Sequence, residues 1–249
     1  MKFIWPNSGV LSASSSELDS APAANITESH ATNPWLADTT DSSPSITIDV
    51  TEGGAVLVYN IQAEAATVTA KTSGGSTIHS ESFTLTTASS YGVPRHISHI
   101  WMEYTEQAGP HKITVSLTKG SSFAYAGIGI IMAGPLLGTF SDPNFGDFSH
   151  ELEDHSLIIR LSGGVEHPIV DNIQRLHPAT LQIRDPDEFY ALMRFGRLAG
   201  KNSPFGCKMS EIATPEEEYL LYASFGKIPS GQPTKYQQNT VSFTLKEFL

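Results

Sequence analysis

The sequence predicts a mainly β protein with antiparallel sheets and a single short helix. The chain is only 16% charged but contains 20 glycines and 15 prolines, a balance typical of short strands joined by many turns. Short apolar and alternating segments recur along both halves with no helical pattern between them, and only one segment carries helix caps. The 249 residues allow one large domain or two small ones.

The first half predicts a sandwich of short strands. Ser45–Val50 alternates strictly between polar and apolar residues, as a half-buried strand does. After a break at Gly53-Gly54, residues 55–61 are continuously apolar, which indicates a strand covered on both faces. Gly74-Gly75 predicts the turn of a hairpin. The remaining strands of this half are predicted over residues 66–70, 77–83, 96–104, 112–117 and 123–132.

Residues 1 to about 45 are mostly small and polar, which predicts an irregular segment held in place by isolated apolar anchors. These anchors are Phe3, Trp5, Ile26, Trp35 and Leu36.

The best domain boundary lies at residues 134–138, where turn residues meet a change in composition. We therefore predict two antiparallel β-sandwich domains, residues 1–135 as a sandwich or jelly roll and residues 136–249 as a sandwich with one helix. The second domain starts with an aromatic loop over residues 140–148 and a hairpin candidate over residues 156–170. Further strands are predicted over residues 179–183, 205–209, 219–225 and 240–249.

The predicted helix spans about residues 186–199. Asp185 is a suitable N-cap, Pro186 fits the first helical position, and Gly200 suits the position just past the end. A helix this short is not stable alone in water, so we expect it to lie on a sheet. The apolar stripe that would face this sheet consists of Phe189, Leu192, Met193 and Gly196.

Composition excludes several classes of function. The net charge of −11 argues against a nucleic-acid surface. The single cysteine, Cys207, excludes an internal disulfide framework and a zinc site built from several cysteines, so we expect a compartment that is not oxidising. The N-terminus lacks the pattern of a signal peptide, and no apolar run reaches the roughly 18 residues that span a bilayer, so no membrane insertion is expected.

Two groups of histidines are candidates for metal ligands. His96 and His99 are three apart in a predicted strand, so their side chains would point to opposite faces. His150 and His155 flank acidic residues whose carboxylates could bind a hard cation, but no known ligand spacing is met. We favour an acidic strand edge that discourages pairing with other sheets. The acidic residues of this group are Glu151, Glu153 and Asp154.

Other reactive or recognition residues have simpler explanations. Cys207 could be a nucleophile, but a lone buried thiol behaves as a small hydrophobe. Arg194 and Arg197 could bind an anion, although helix C-terminal charge and surface pairing explain them better. The tryptophans Trp5, Trp35 and Trp101 could stack on sugars, but we favour core or anchor positions. The sequence thus predicts no catalytic, cofactor-binding or metal-binding residues, and no enzyme.

Two patterns resemble a known family. The pattern in the second half comprises residues 148–149, 162–164, 181–183, 188–204, 221–228 and 241–248. It resembles tail-tip and baseplate proteins of long-tailed bacteriophages, of the distal tail protein type. Residues 33–38, 45–50 and 123–135 resemble galactose-binding, discoidin-like sandwiches. The order of the two domains is reversed relative to that family.

This resemblance implies a structural virion protein at the tail tip, assembled in the host cytoplasm. It implies a ring of copies, expected to be a hexamer, with tail tube, hub or fibre proteins as further partners, and no cofactor. The hairpin 156–170 and the loop 144–148 are the segments expected to reach a neighbouring copy. The alternative is a glycan-binding module that recognises host surface sugars through loops 35–43 or 89–95 of the first sandwich, a role that fold alone does not establish.

Overall fold

The predicted fold class is confirmed. The computed structural model is mainly β, with antiparallel strand pairs and a single α-helix among the residues it describes. These residues are 1–5, 10–27, 33–38, 40–88, 94–140, 149, 151–154, 157–160, 166–169, 173–210, 219–233 and 239–247.

The strands are named in chain order. Those of the first half are β1 (Lys2–Ile4), β2 (Val10–Ser14), β3 (Trp35–Leu36), β4 (Ser45–Val50), β5 (Gly53–Gln62), β6 (Ala65–Thr72), β7 (Thr77–Thr84), β8 (Thr86–Ala88), β9 (Pro94–His96), β10 (His99–Gln107), β11 (His111–Thr118), β12 (Gly127–Gly134) and β13 (Leu136–Thr139). Those of the second half are β14 (Glu151–Asp154), β15 (Leu157–Arg160), β16 (Glu166–Ile169), β17 (Ile173–Ile183), β18 (Phe205–Lys208), β19 (Leu220–Pro233) and β20 (Asn239–Glu247). Helix α1 spans Pro186–Ala199, and a 3₁₀ helix spans Ala23–Thr27.

The chain divides into two compact units. The first unit, residues 2–139 with 205–222, contains the predicted sandwich. A five-stranded sheet of order β2-β4-β11-β6-β7 and a four-stranded sheet of order β10-β5-β12-β3 share one apolar core. Alternate residues of both sheets fill it, as in Ile46, Ile48 and Val50 of β4 opposite Ile100 and Met102 of β10.

Strand β5 is covered on both faces, as its continuous apolarity predicts. Val56 and Val58 belong to the sandwich core, while Leu57 and Tyr59 are buried on the opposite face. Asn60 has a positive φ of 57°, a conformation that asparagine tolerates better than most residues. Beyond Asn60 the alternation changes, so that Ile61 also joins the sandwich core.

The opposite face of β5 is covered by a third layer, the strands β13, β1 and β18, in which β1 is central. A Cβ atom placed on Gly206 of β18 would lie 3.2 Å from Leu57 Cδ2, so the two backbones approach closely. The ring of Phe3 meets that of Phe205 edge-to-face at 5.7 Å between centroids. Most of the predicted boundary segment 134–138 forms β13 and pairs with β1.

Other boundaries in the first unit also differ from prediction. The N-terminal segment holds three strands and a 3₁₀ helix rather than irregular chain, although Phe3, Ile26 and Trp35 are fully buried as expected. Gly53-Gly54 lies inside β5, and β12 begins only at Gly127. The predicted strand 96–104 is split between β9 and β10. The hairpin turn around Gly74-Gly75 is confirmed.

The second unit comprises Met1, residues 140–204 and residues 223–249. Its strands follow the order β19-β20-β17-β14, and the predicted hairpin is present as the pair β15–β16. β17 and β19 are longer than predicted. β17 continues through Pro178, which stands opposite Thr244 of β20 and whose carbonyl accepts from Ser149 N. In β20 the residues Val241, Phe243 and Leu245 are buried, which confirms the predicted alternation.

Helix α1 has the predicted limits. Asp185 accepts a hydrogen bond from the amide of Asp187, Pro186 opens the helix, and Gly200 follows it with a φ of 58°. The buried stripe includes Phe195 and Ala199 in addition to Phe189, Leu192 and Gly196, while Met193 is only half-buried. The stripe rests on the sheet, where Phe195 meets Phe225 at 5.6 Å between ring centroids.

That residues 1–135 and residues 136–249 form two independently folding domains stays a prediction. In the structure, residues 205–222 belong with the first unit, and β19 begins there before it enters the second.

We predict that Gly53→Ala destabilises the first unit. A Cβ atom at Gly53 would lie 2.7 Å from the carbonyl group of Gly134, and that backbone is fixed by the pairing of β5 with β12. Such overpacking costs about 1–3 kcal/mol of unfolding free energy, measurable by urea denaturation. Gly74→Ala is the control, because its Cβ would meet only Thr72 Oγ1 at 3.8 Å. Equal stability of the two variants would contradict a steric requirement for glycine at position 53.

Candidate functional site

One end of the sandwich carries two adjacent loops. The first comprises residue 38 and residues 40–43, and the second residues 119–125; together they are called the sandwich-end loops. The amide of Ala37 donates to the carbonyl of Ala126 at 2.9 Å, and that of Lys119 donates to Ser42 at 3.4 Å. These hydrogen bonds thus tie the first loop to both ends of the second loop.

Glu64 fixes the conformation of the second loop. Its Oε1 atom accepts hydrogen bonds from the amide of Ser121 at 2.9 Å, and from the amide and hydroxyl of Ser122 at 3.2 and 3.1 Å. The bonds from Ser122, followed by that from Ser121, lower the pKa of the Glu64 carboxyl group. Gly120 has a φ of 68°, and a Cβ atom there would overlap the Glu64 carboxylate.

The sandwich-end loops present aromatic and polar groups together. Tyr125 is 36% exposed and Phe123 is half-buried, while Ser121 and Ser122 are exposed. On the first loop, Asp38 accepts from the amide and hydroxyl of Thr40 at 3.0 and 3.1 Å. A partly exposed ring bordered by hydroxyl and carboxylate groups can stack on an apolar ring face and hydrogen-bond its edge.

A different surface lies on helix α1. Tyr190 is 60% exposed and Leu198 is 72% exposed, and Arg194 and Arg197 between them are exposed as well. These four residues are called the exposed helix face. Tyr190, Arg194 and Leu198 are four residues apart, and Arg197 follows Arg194 by three, so all four lie on one side of the helix. Arg197 lies in the last turn of the helix, as expected for C-terminal charge, and neither arginine makes an ion pair with a residue that the structure describes.

Two of the three tryptophans are structural. Trp35 is fully buried in the sandwich core, and Trp101 is 7% exposed. The indole N–H of Trp101 donates to Glu103 at 2.8 Å, and Glu103 also receives both hydrogen bonds of Lys2 at 2.8 and 2.9 Å. Trp35 and Trp101 therefore cannot stack on a sugar without rearrangement of the core, whereas Trp5 is half-buried.

The candidate histidine ligands are dispersed. His99 stacks on Tyr59 with 3.7 Å between ring centroids, and its Nδ1 atom accepts from the amide of Asn60 at 3.2 Å. His96 belongs to a different strand, β9. His150 and His155 lie outside the described residues. Glu151–Asp154 forms β14, which stands last in its sheet as an acidic edge strand.

Cys207 and His111 have clear packing roles. Cys207 is fully buried, its thiol donates to the Met209 sulfur atom at 3.3 Å, and burial raises its pKa. The Gly109 carbonyl can only accept, so Nδ1 of His111 donates to it at 3.1 Å, and Nε2 shares a hydrogen bond of 2.7 Å with the Tyr104 hydroxyl. Burial also raises the pKa of the Tyr104 hydroxyl. These groups are shielded from substrates.

Over the described ranges, no three residues of the histidine, cysteine, aspartate and glutamate types come together as a metal site. Within the same ranges, no helix has the length and apolar character that a membrane crossing requires.

The sequence identified part of both surfaces, the loop 35–43 as a candidate for sugar binding and Arg194 and Arg197 as candidates for anion binding. It did not identify the exposed rings and the exposed leucine. Tyr125 lies in a segment that was assigned to a strand, and Glu64 lies in a short connection with no motif. Tyr190 and Leu198 fall opposite the apolar stripe of the helix, so a helical wheel could have identified them as exposed apolar residues.

No family model matches the chain, and no curated protein matches it. Solved structures are similar to about half of it. One is reduced XRCC1 bound to the catalytic domain of DNA polymerase β, with 12% identity, 53% of this chain and 97% of that chain covered, and a TM-score of 0.37. Another is the CBM32-4 module of CpGH89 from Clostridium perfringens, with 18% identity, 52% and 98% covered, and a TM-score of 0.37. A third is the same module in complex with GlcNAc-α-1,4-galactose, with 19% identity, 49% and 86% covered, and a TM-score of 0.34.

We predict that Glu64→Gln destabilises the first unit at neutral pH, because one neutral amide replaces a carboxylate that accepts three hydrogen bonds. The folded-state pKa of Glu64 is lowered, so its contribution is complete above the unfolded-state pKa and disappears as the pH falls through the folded-state pKa. The difference between wild type and variant in urea denaturation should therefore shrink on acidification.

Glu106→Gln is the control for this experiment, since it removes an exposed carboxylate of β10 from the same unit. A Glu64→Gln effect that is independent of pH, or equal to that of the control, would contradict the role of the carboxylate.

Proposed function

We propose that this chain is a non-enzymatic structural subunit that binds copies of itself in the tail tip of a long-tailed bacteriophage. The exposed helix face is the observation that supports self-association. The virion setting is supported by the residue patterns of the second half, which resemble tail-tip proteins of the distal tail type.

The chemistry of the exposed helix face suits a protein contact. Leu198 and Tyr190 expose most of their side chains although the same helix buries five other residues. Tyrosine and arginine are enriched at protein interfaces and among the residues that dominate binding energy. An apolar surface bordered by exposed cations is therefore better suited to a partner protein than to solvent alone.

A ring of copies would account for the exposed helix face, because each copy would use this face in a contact with its neighbour. Most homo-oligomers adopt closed symmetry, and a subunit that caps a tail tube should match the symmetry of that tube. This favours six copies, with tail tube, hub or fibre proteins as neighbours, and assembly in the host cytoplasm before incorporation into the virion.

Cryo-electron microscopy of purified particles that contain this chain tests the proposal. We expect a closed ring of copies in contact through the second unit, with about 1,200 Å² or more buried in total per contact. Particles that hold isolated single copies, with no contact between residues 140–249 of neighbouring chains, would contradict it.

A second candidate function is glycan binding at the sandwich-end loops. The observation that favours it is the position of Tyr125, which is 36% exposed beside Ser121 and Ser122 on a loop that Glu64 fixes. A rigid aromatic platform with polar neighbours is a common arrangement for sugar recognition. This function is compatible with the structural one, because it uses a different unit.

For this candidate, we predict that Tyr125→Ala abolishes the binding of the wild-type chain to a glycan array. His79→Ala is the matched control, because it removes an exposed ring on β7 that belongs to neither surface and should leave binding unchanged. Failure of the wild-type chain to bind any glycan, or equal loss in both variants, would contradict a site at Tyr125.

A further inference from the structure

The two most exposed apolar side chains of the described residues lie on the exposed helix face, beside two arginines. Leu198 is 72% exposed and Tyr190 60% exposed. Arg194 and Arg197 add two positive charges to this face, although the whole chain carries a net charge of −11. A local positive surface on an acidic protein favours an acidic partner.

An acidic surface of the required kind is present in the same unit. Three of the four residues of β14 are acidic, and Glu151 is exposed. β14 stands at the end of its sheet order and pairs with β17 along one edge, while no described strand pairs with its other edge. Such an edge presents backbone groups to a neighbour, and Glu151 adds an exposed carboxylate.

The two surfaces face in different directions. The buried face of α1 packs on its sheet, where Phe195 contacts Phe225 and Gly196 lies against Pro229. The exposed helix face therefore points away from the sheet, whereas the open edge of β14 lies in the plane of the sheet.

We propose that the exposed helix face of one copy binds the acidic edge strand β14 of the next copy. This inference deepens the proposed self-association by naming its contact. The partner is a second copy, because charge complementarity joins two surfaces of this chain that face in different directions. A two-fold contact of the helix face with itself would instead place Arg194 and Arg197 against their own copies.

A contact of this kind is head-to-tail. One copy offers the helix and the other offers the edge, so each subunit of such a pair retains its other surface for a further neighbour. Heterologous contacts generate a closed ring when the rotation closes and a filament when it does not. The surface charges of the second unit thereby give the assembly its direction.

The test is a charge swap that separates this contact from general repulsion. Arg194→Glu/Arg197→Glu changes the net charge from −11 to −15, since each reversal adds two negative charges, and Glu151→Lys/Glu153→Lys changes it to −7. General repulsion would weaken self-association in the first variant and strengthen it in the second. The proposed contact is weakened in both, and the variant with all four changes returns to −11 and regains it.

Self-association of the full chain is measured by sedimentation velocity at low ionic strength, where surface charges act most strongly. We expect each double variant to weaken it by about ten-fold or more and the four-fold variant to approach wild type. The matched control is Lys71→Glu/Lys112→Glu, which also reaches −15 but lies on β6 and β11 of the first unit. It should associate nearly as well as wild type. Circular dichroism of every variant checks that it is folded.

The outcomes separate the contact from the wider proposal. A wild-type chain that stays monomeric up to its solubility limit at low ionic strength overturns the contact, as does self-association that the helix and strand variants leave unchanged. Either result can coexist with a ring of copies in the particle, built through other residues. A particle without contacts between copies overturns the proposed function instead.

Discussion

The strand Gly53–Gln62 has to be covered on both faces, and most of the first unit is arranged around this constraint. Val56 and Val58 enter the sandwich core, whereas Leu57 and Tyr59 need a second cover. Burying each such side chain contributes about 1.5–3 kcal/mol. The cover comes from three segments that are distant in sequence, β13, β1 and β18, which explains why residues 205–222 belong with the N-terminal unit.

This constraint also shows where sequence reasoning succeeds and where it stops. The limits of β4 and α1 could be predicted to the residue, because alternation and helix caps are local signals. The strand β13 was missed, since residues 136–139 become a strand only by pairing with β1, more than 130 residues away. Tyr125 was missed because its exposure depends on what the remaining chain leaves uncovered, whereas Tyr190 and Leu198 lie opposite the apolar stripe of α1 and could have been recognised from helical spacing.

The two units use their surfaces differently. In the first unit, His111, Cys207 and two tryptophans are buried or paired, and the sandwich-end loops present a partly exposed aromatic ring together with polar groups. In the second unit, one stripe of α1 holds the helix on its sheet and the opposite side is open. Recognition by the first unit and assembly by the second are thus compatible roles for one chain, and neither requires a catalytic residue.

Hydrogen–deuterium exchange of the wild-type chain, compared between concentrated and dilute samples at low ionic strength, is the most direct probe of assembly through the second unit. We expect self-association to slow exchange in Pro186–Ala199 and in Glu151–Asp154 and to leave residues 119–125 unchanged, because the proposed contact uses only the second unit. Protection confined to the first unit, or equal exchange in a sample shown to be associated, would contradict this mode of assembly.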